Sequence, residues 1–254
     1  MITVGAKAPD FTLKDQYGND FQLSRVLATR NVLLNFIPAA FTQICGVEVP
    51  SLASFYDLFL SSANTVAVVI TADNHPSNLG WMRYLNIAVP YILSDYEPKG
   101  KVCQQYGCWN AQDGIPDRAS VLVGQDGVVK FGESVTKFGR RDVPSLLMIA
   151  QKAAGLPVQA PETIRTRIEM PILFVSNTCM HCAAVREQLQ KLQLDTKIVV
   201  RVVNGDNEAV QWLLSVQPSG DVPVLFDVDK TLYVGGPNVI EGLRRIAKRV
   251  GLPT

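Results

Sequence analysis

Residues 31–48 read NVLLNFIPAAFTQICGVE and join a strand pattern to a helix pattern. Five of the seven residues from 31 to 37 are apolar, which predicts a buried strand. Pro38 ends this strand, because proline cannot donate a hydrogen bond to a sheet. From Thr42 onward apolar residues recur near helical spacing, so Cys45 is expected in the first turn of a helix. Backbone N–H groups and the helix dipole favour a thiolate there, which makes Cys45 a candidate nucleophile. The alternative is a buried structural cysteine.

The spacing Pro38-x-x-x-Thr42-x-x-Cys45 resembles the peroxidatic motif of the peroxiredoxins. The resemblance implies that the Cys45 thiolate attacks the distal oxygen of a hydroperoxide and becomes a sulfenic acid. The Thr42 hydroxyl would accept a hydrogen bond from the peroxide and donate one to the thiolate. Pro38, which has no N–H group, would shield the pocket from bulk water.

Arg118, just before the predicted strand ASVLV, is the candidate cation at this sulfur. A guanidinium keeps its charge at neutral pH, so it can hold Cys45 as a thiolate and stabilise the leaving oxygen. The alternative is a solvated arginine at a strand end. Glu48 either orients Arg118 or favours the first turn of its helix through the dipole. Trp81 either walls the substrate pocket or is a core aromatic.

Composition restricts the class of protein. The 254 residues are enough for two domains, and 47% hydrophobic with 19% charged residues indicates a globular chain. A net charge of +1 gives no basis for binding nucleic acid or an acidic membrane. The N-terminus lacks a signal-peptide pattern, and apolar runs stay below the roughly 18 residues of a spanning helix. Five cysteines, an odd number, indicate reactive thiols in a reducing cytoplasm.

Strand and helix patterns alternate up to residue 154, which predicts an α/β sheet flanked by helices. This first domain, residues 1–154, resembles the one-cysteine peroxiredoxins of the alkyl hydroperoxide reductase E type. The stretches LSDYEPKGKVCQQYG (93–107) and DRASVLVGQDGVVKF (117–131) carry that resemblance beyond the motif.

Pro50 stands five residues past Cys45, where related peroxiredoxins carry a resolving cysteine. Resolution of an oxidised Cys45 must therefore come from elsewhere. Cys103 and Cys108 are the local candidates. Each is otherwise explained as a small buried residue.

Residues 155–169 contain Gly155, Pro157 and Pro161 and are predicted to be a semi-stiff linker. The second domain, residues 170–254, begins with a buried strand followed by Cys179-Met180-His181-Cys182 at the start of a helix. A strand, a C-x-x-C and a helix in this order form the redox motif of the thioredoxin superfamily. The alternatives are a metal site and a pair of inert cysteines, but no second C-x-x-C or His pair supplies the four ligands of a zinc site.

The second domain resembles the glutaredoxins. That resemblance implies that Cys179 is the attacking thiol and Cys182 its buried resolving partner. Val222-Pro223 matches the position of the family's cis-proline, beside the disulfide. Gly235 and Gly236 match the glycine pair that lets a glutathione carboxylate approach the backbone.

Together these patterns predict two thioredoxin-fold domains in tandem, each a central mixed β-sheet flanked by helices. The predicted activity is the thiol-dependent reduction of hydrogen peroxide or organic hydroperoxides, with the C-x-x-C domain reducing oxidised Cys45. We expect no bound cofactor or metal, and an external thiol reductant, either a glutathione-like thiol or a thioredoxin and reductase system. The resemblance implies a homodimer, and we expect a cytoplasmic protein with no nucleic-acid or membrane partner. The alternatives are a general thiol–disulfide oxidoreductase and a peroxide sensor that relays a disulfide to a partner protein.

Overall fold

Two units, Met1–Pro161 and Glu162–Thr254, make up the chain. The computed structural model describes residues 1–42, 44–88, 90–135, 139–159, 169–217 and 220–253. Each unit is built around its own mixed β-sheet, as the sequence predicts. The predicted linker, residues 155–169, falls mostly outside the described residues, so its bounds stay a prediction.

Strands and helices alternate through the first unit. Its elements are β1 Thr12–Lys14, β2 Asp20–Gln22, α1 Leu23–Leu27, β3 Asn31–Phe36, α2 Cys45–Ser54, α3 Tyr56–Ala63, β4 Thr65–Thr71, α4 His75–Leu85, β5 Tyr91–Ser94, α5 Lys101–Gln105, β6 Trp109–Asn110, β7 Ile115–Pro116, β8 Ala119–Val123, β9 Val129–Ser134 and α6 Val143–Ala153. The main sheet has the order β2-β1-β5-β4-β3-β8-β9. Strand β3 pairs parallel with β4 and antiparallel with β8, so it lies in the interior of the sheet.

The two faces of β3 differ in character. Val32, Leu34 and Phe36 belong to an apolar cluster on one face. Successive side chains of a strand alternate between faces, so Asn35 points to the other one. On the neighbouring strand β8, Ala119 belongs to the apolar cluster. The residues on either side of Ala119 therefore point toward the same face as Asn35.

The helix that follows β3 begins at Cys45 and ends at Ser54, with Pro50 inside it. The sequence predicts one continuous helix past this point. The structure instead breaks it at Phe55, whose backbone angles are φ −98° and ψ 0°. A second helix, α3, then begins at Tyr56. The prediction that Cys45 lies in a first helical turn is confirmed.

The second unit has four strands and three helices among its described residues. They are β10 Ile172–Val175, α7 Met180–Lys191, β11 Val199–Val202, α8 Asn207–Val216, β12 Val224–Phe226, β13 Leu232–Val234 and α9 Gly236–Arg249. The sheet order is β11-β10-β12-β13, with β10 parallel to β11 and antiparallel to β12. Residues of α7 and α9 pack together on one face of this sheet. Within the part of the chain that the structure describes, no helix is both long and apolar enough to cross a membrane.

Candidate active site

Cys45 is the first residue of α2 and sits at the carboxyl end of β3, past a short loop. Its side chain is 0% exposed. The first turn is closed by Gly46 N–H, which donates to the Thr42 carbonyl at 2.8 Å. The sulfur is thus held at a helix start, where backbone N–H groups and the dipole stabilise a negative charge.

Arg118 contacts this sulfur directly. Its Nη1 lies 3.2 Å from Cys45 Sγ and 2.7 Å from Glu48 Oε2, and its Nε donates to the Gly139 carbonyl at 2.9 Å. The arginine is fully buried, so its charge acts on the sulfur with little screening by water. The structure therefore brings together Arg118, Glu48 and Cys45, as the sequence analysis expects, with Glu48 orienting Arg118.

A second arginine, Arg141, completes the cluster and is not among the residues predicted from the sequence. Its Nη1 donates to Glu48 Oε2 and its backbone N–H to Glu48 Oε1, both at 2.9 Å. Burial lowers the pKa of Arg141, while the Glu48 carboxylate and the Cys45 sulfur oppose that shift. One carboxylate is thus shared by two buried guanidinium groups, which leaves one positive charge to balance a Cys45 thiolate.

Arg141 also joins the cluster to the sheet face that carries Asn35 and Ser120. Its Nε donates to Ser120 Oγ at 2.9 Å, and its Nη2 donates to the carbonyls of Ala119 (2.7 Å) and Phe36. Ser120 Oγ in turn donates to Asn35 Oδ1 at 3.0 Å. A cation just before the start of α6 is unfavourable to the helix dipole. The position of Arg141 in the sequence therefore indicates that its charge is compensated by a residue outside α6.

The loop before Cys45 departs from the prediction in one respect. Pro38 is buried, in line with its predicted shielding role. Thr42 is exposed, and its hydroxyl donates to the Ala39 carbonyl at 3.0 Å. A hydroxyl has one proton to donate, so the predicted bond from Thr42 to the Cys45 thiolate is not made in this structure.

Phe41, next to Thr42, occupies the left-handed region with φ 60° and is 61% exposed. Its ring lies 6.3 Å from that of Trp81 and 5.7 Å from that of Tyr84. Trp81 is fully buried, so it lies beneath Phe41 and supports the loop. This placement favours the core reading of Trp81 over a substrate-binding wall.

Cys103 and Cys108 lie on the other side of the sheet. Both side chains belong to the apolar cluster that contains Phe36 and Ala119. Arg118 points to the opposite face, where it holds Cys45. The sheet therefore separates these two cysteines from the reactive sulfur, which argues against a direct resolving role for either one.

The C-x-x-C of the second unit has two unequal thiols. Cys179 is the N-cap of α7 and is half-buried, with Sγ 3.4 Å from the Val222 carbonyl. Cys182 is 0% exposed and accepts the Ser176 N–H at 3.4 Å. Burial raises the pKa of Cys182 to about 12, and the adjacent Cys179 adds to the shift. The Val222–Pro223 peptide is cis, as the resemblance predicts.

The predicted glycine pair lies beside this motif. Gly235 N–H donates to the Pro223 carbonyl at 3.0 Å, and Gly235 has φ +84°. Gly236 begins α9, and a methyl group added there would lie 3.5 Å from His181 Cβ. The start of α9 therefore adjoins the residue between the two cysteines. All five cysteines are free thiols, and no cluster of metal-binding side chains is found among the described residues.

Comparison with known proteins assigns each half separately. Residues 4–131 match the AhpC/TSA family, and residues 172–232 match the glutaredoxin family. Alkyl hydroperoxide reductase E of Mycobacterium tuberculosis is 38% identical over 133 residues, which are 52% of this chain and 86% of the relative. The reduced 2-Cys peroxiredoxin of Plasmodium vivax has 23% identity and a TM-score of 0.52, over 59% of this chain and 81% of that one. Mycobacterium tuberculosis AhpC has 19% identity and a TM-score of 0.54, over 59% and 92%. These structural matches support the predicted fold of the first unit.

Proposed function

The chain belongs to the AhpC/TSA family of peroxiredoxins, and we propose that it is a thiol peroxidase that reduces hydroperoxides through Cys45. The observation that carries this proposal is the contact between Arg118 and Cys45 Sγ at 3.2 Å. A buried guanidinium beside a sulfur at a helix start stabilises the thiolate, which is the nucleophilic form of cysteine.

The first step is a displacement on the peroxide O–O bond. The Cys45 thiolate attacks the distal oxygen, a sulfur–oxygen bond forms, and the remaining oxygen leaves as an alkoxide or hydroxide that takes up a proton. Cys45 becomes a sulfenic acid, and the peroxide is reduced to an alcohol or water. Arg118, fixed by Glu48, can stabilise the charge that develops on the leaving oxygen.

We propose that the glutaredoxin-type unit returns Cys45 to the thiol state. The sulfenic acid condenses with a thiol to give a disulfide and water, and Cys179 attacks this disulfide. This attack falls on the partner sulfur and releases reduced Cys45. Cys182 then attacks Cys179, forms the Cys179–Cys182 disulfide and releases the partner thiol. The half-buried N-cap position of Cys179 suits the attacking thiol, while the buried Cys182 suits the resolving thiol.

Covalent linkage of the two units gives this transfer an advantage. A tether converts an encounter between proteins into an event at an effective concentration on the order of millimolar. The Cys179–Cys182 disulfide that results needs an external donor, either a low-molecular-weight thiol or a thioredoxin-type reductase. Family membership makes a homodimer the expected assembly. Hydrogen peroxide and organic hydroperoxides are both proposed substrates.

Single-turnover and steady-state kinetics test the two parts separately, with the three tryptophans as fluorescence probes. Cys45→Ser should abolish both the first reduction of peroxide and sustained turnover. Cys179→Ser should keep the first stoichiometric reduction and lose turnover. Sustained turnover in Cys179→Ser with the same donor would refute the proposed role of the second unit.

The geometry of the second unit also supports thiol–disulfide exchange on other substrates. Cys179 is partly accessible beside the cis-Pro223 peptide, which is where an extended substrate would pair. Reduction of a small synthetic disulfide by Cys45→Ser would demonstrate this activity apart from the peroxidase. Loss of that reduction in Cys179→Ser would assign it to the C-x-x-C.

A further inference from the structure

The end of helix α5 brings two cysteines together. Cys108 N–H donates to the Cys103 carbonyl at 2.8 Å, and Gly107 N–H donates to the Gln104 carbonyl at 3.0 Å. Gly107 has φ +66°. These two hydrogen bonds and the left-handed glycine form a Schellman motif, the common termination of an α-helix.

In a Schellman motif, the side chains of the residues joined by the longer hydrogen bond pack against each other. Here those residues are Cys103 and Cys108, which are 0% and 2% exposed and share one apolar cluster. The 2.8 Å hydrogen bond and standard bond lengths hold their Cα atoms within about 7 Å. That separation meets the Cα–Cα requirement for a disulfide.

We propose that Cys103 and Cys108 form an intramolecular disulfide when a hydroperoxide oxidises the pair. The hydroperoxide converts one thiol to a sulfenic acid and is itself reduced to an alcohol or water. The sulfur of the second cysteine then attacks the sulfenic sulfur, the S–S bond forms, and water leaves. Two thiols lose two electrons and two protons in total, and one O–O bond is cleaved.

The surroundings of the pair make this oxidation slow. Burial raises the pKa of Cys108 to about 12. Burial also raises the pKa of Cys103, and the Asp95 carboxylate and Cys108 add to that shift. The thiolate is the form that reacts with peroxide. Each of these two thiols therefore reacts far more slowly than a thiolate that is stabilised by a guanidinium. The disulfide therefore forms only when peroxide stays in excess after Cys45 has been oxidised.

The first two residues of the chain cover the end of helix α5. Ile2 N–H donates to the Tyr106 carbonyl at 2.9 Å. The backbone of Met1 lies so close to Gly107 that an added methyl group would come within 2.8 Å of it. Local opening of these first residues uncovers the helix end. Oxidation should therefore follow that opening and leave the face that carries Cys45 undisturbed.

The test uses the full chain with the other three cysteines replaced, as Cys45→Ser, Cys179→Ser and Cys182→Ser together. Trypsin cleaves after Lys101 and Arg118, so Cys103 and Cys108 fall in the single peptide 102–118. After treatment with hydrogen peroxide, we expect this peptide to be two hydrogens lighter and to return to its original mass with dithiothreitol. We expect a rate at least about a thousandfold below that of Cys45 in the wild type.

Single oxygen additions on one cysteine, a dimer linked between chains, or two thiols that remain alkylatable would each overturn the proposal. Adding Cys108→Ala to the same background is the control, and it should abolish the mass loss. The wild-type chain, mapped in the same way, supplies the answer if the triple variant does not fold. The outcome is independent of the role proposed for the second unit.

Discussion

The backbone N–H of Ala40 donates to the Asp73 carboxylate at 2.8 Å. This bond fixes the loop before Cys45 to the end of β4, because Asp73 N–H itself donates to Thr71 Oγ1 at 3.0 Å. The same loop carries Phe41 in a left-handed conformation that costs a non-glycine residue about 1 kcal/mol or more. Asp73 therefore acts as a positioning residue for the loop.

Asp73→Ala should loosen this loop. The lost hydrogen bond to a charged acceptor contributes about 1.5–3 kcal/mol, so we expect the second-order rate constant for peroxide to fall about tenfold or more. Asp73→Asn keeps a carbonyl oxygen as acceptor and should retain most of the rate. Stopped-flow kinetics of both variants checks this. An equal fall of the rate constant in Asp73→Ala and Asp73→Asn would show that the hydrogen bond from Ala40 does not control the rate.

Arg118→Lys should stabilise the Cys45 thiolate less well, although position 118 keeps a positive charge. A lysine lacks the planar group that reaches both Cys45 Sγ and Glu48 Oε2. We expect the second-order rate constant for peroxide at pH 7 to fall about a hundredfold. Arg25→Lys, on the exposed side of α1, is the matched control. An unchanged rate constant in Arg118→Lys would contradict the assigned role.

The two thiols of the C-x-x-C should alkylate in sequence. Burial raises the pKa of Cys182 from 9.0 to about 12, so its thiolate forms only as the pH approaches 12. At pH 7, iodoacetamide should modify Cys179 and spare Cys182. Peptide mapping after a timed reaction distinguishes them. In urea both should react, and equal labelling in the folded chain would show that burial does not protect Cys182.

Gly235→Ala should destabilise the second unit by about 1–3 kcal/mol, because φ 84° with ψ 154° is a conformation essentially restricted to glycine. Nothing stands within 4 Å of the added methyl group, so the cost is conformational. Gly236→Ala is the matched neighbour, where the methyl group would make an ordinary 3.5 Å contact with His181. In urea unfolding, Gly235→Ala should have a lower midpoint than Gly236→Ala. Equal midpoints would refute a conformational cost at Gly235.

Much of the fold could be predicted from local pattern. The strand 119–123 is confirmed to the residue, because its apolar run has clear ends. The last helix of the first unit begins after Asp142, which caps it by accepting the Ser145 N–H at 3.1 Å. Such features depend on neighbours within a few positions, so one sequence contains them.

The site was only partly predictable. Arg118 could be paired with Cys45 because it precedes a predicted strand and a reactive thiolate needs a cation nearby. Arg141 and Asp73 reach the site through tertiary contacts with Glu48 and Ala40, across 93 and 33 positions of the chain. Local periodicity says nothing about such distant partners. The acceptor to which the Thr42 hydroxyl donates likewise depends on which group the folded loop brings nearest.

The shared carboxylate at Glu48 has an electrostatic consequence for the oxidised enzyme. With a thiolate present, two guanidinium cations face two anions, and the buried group is neutral as a whole. Conversion of the sulfur to an uncharged sulfenic acid removes one anion and leaves an unbalanced cation in a low-dielectric interior. The positive charge left on the two arginines would then attract anions. A reductant that arrives as a thiolate, RS⁻, would restore the neutrality of the buried group.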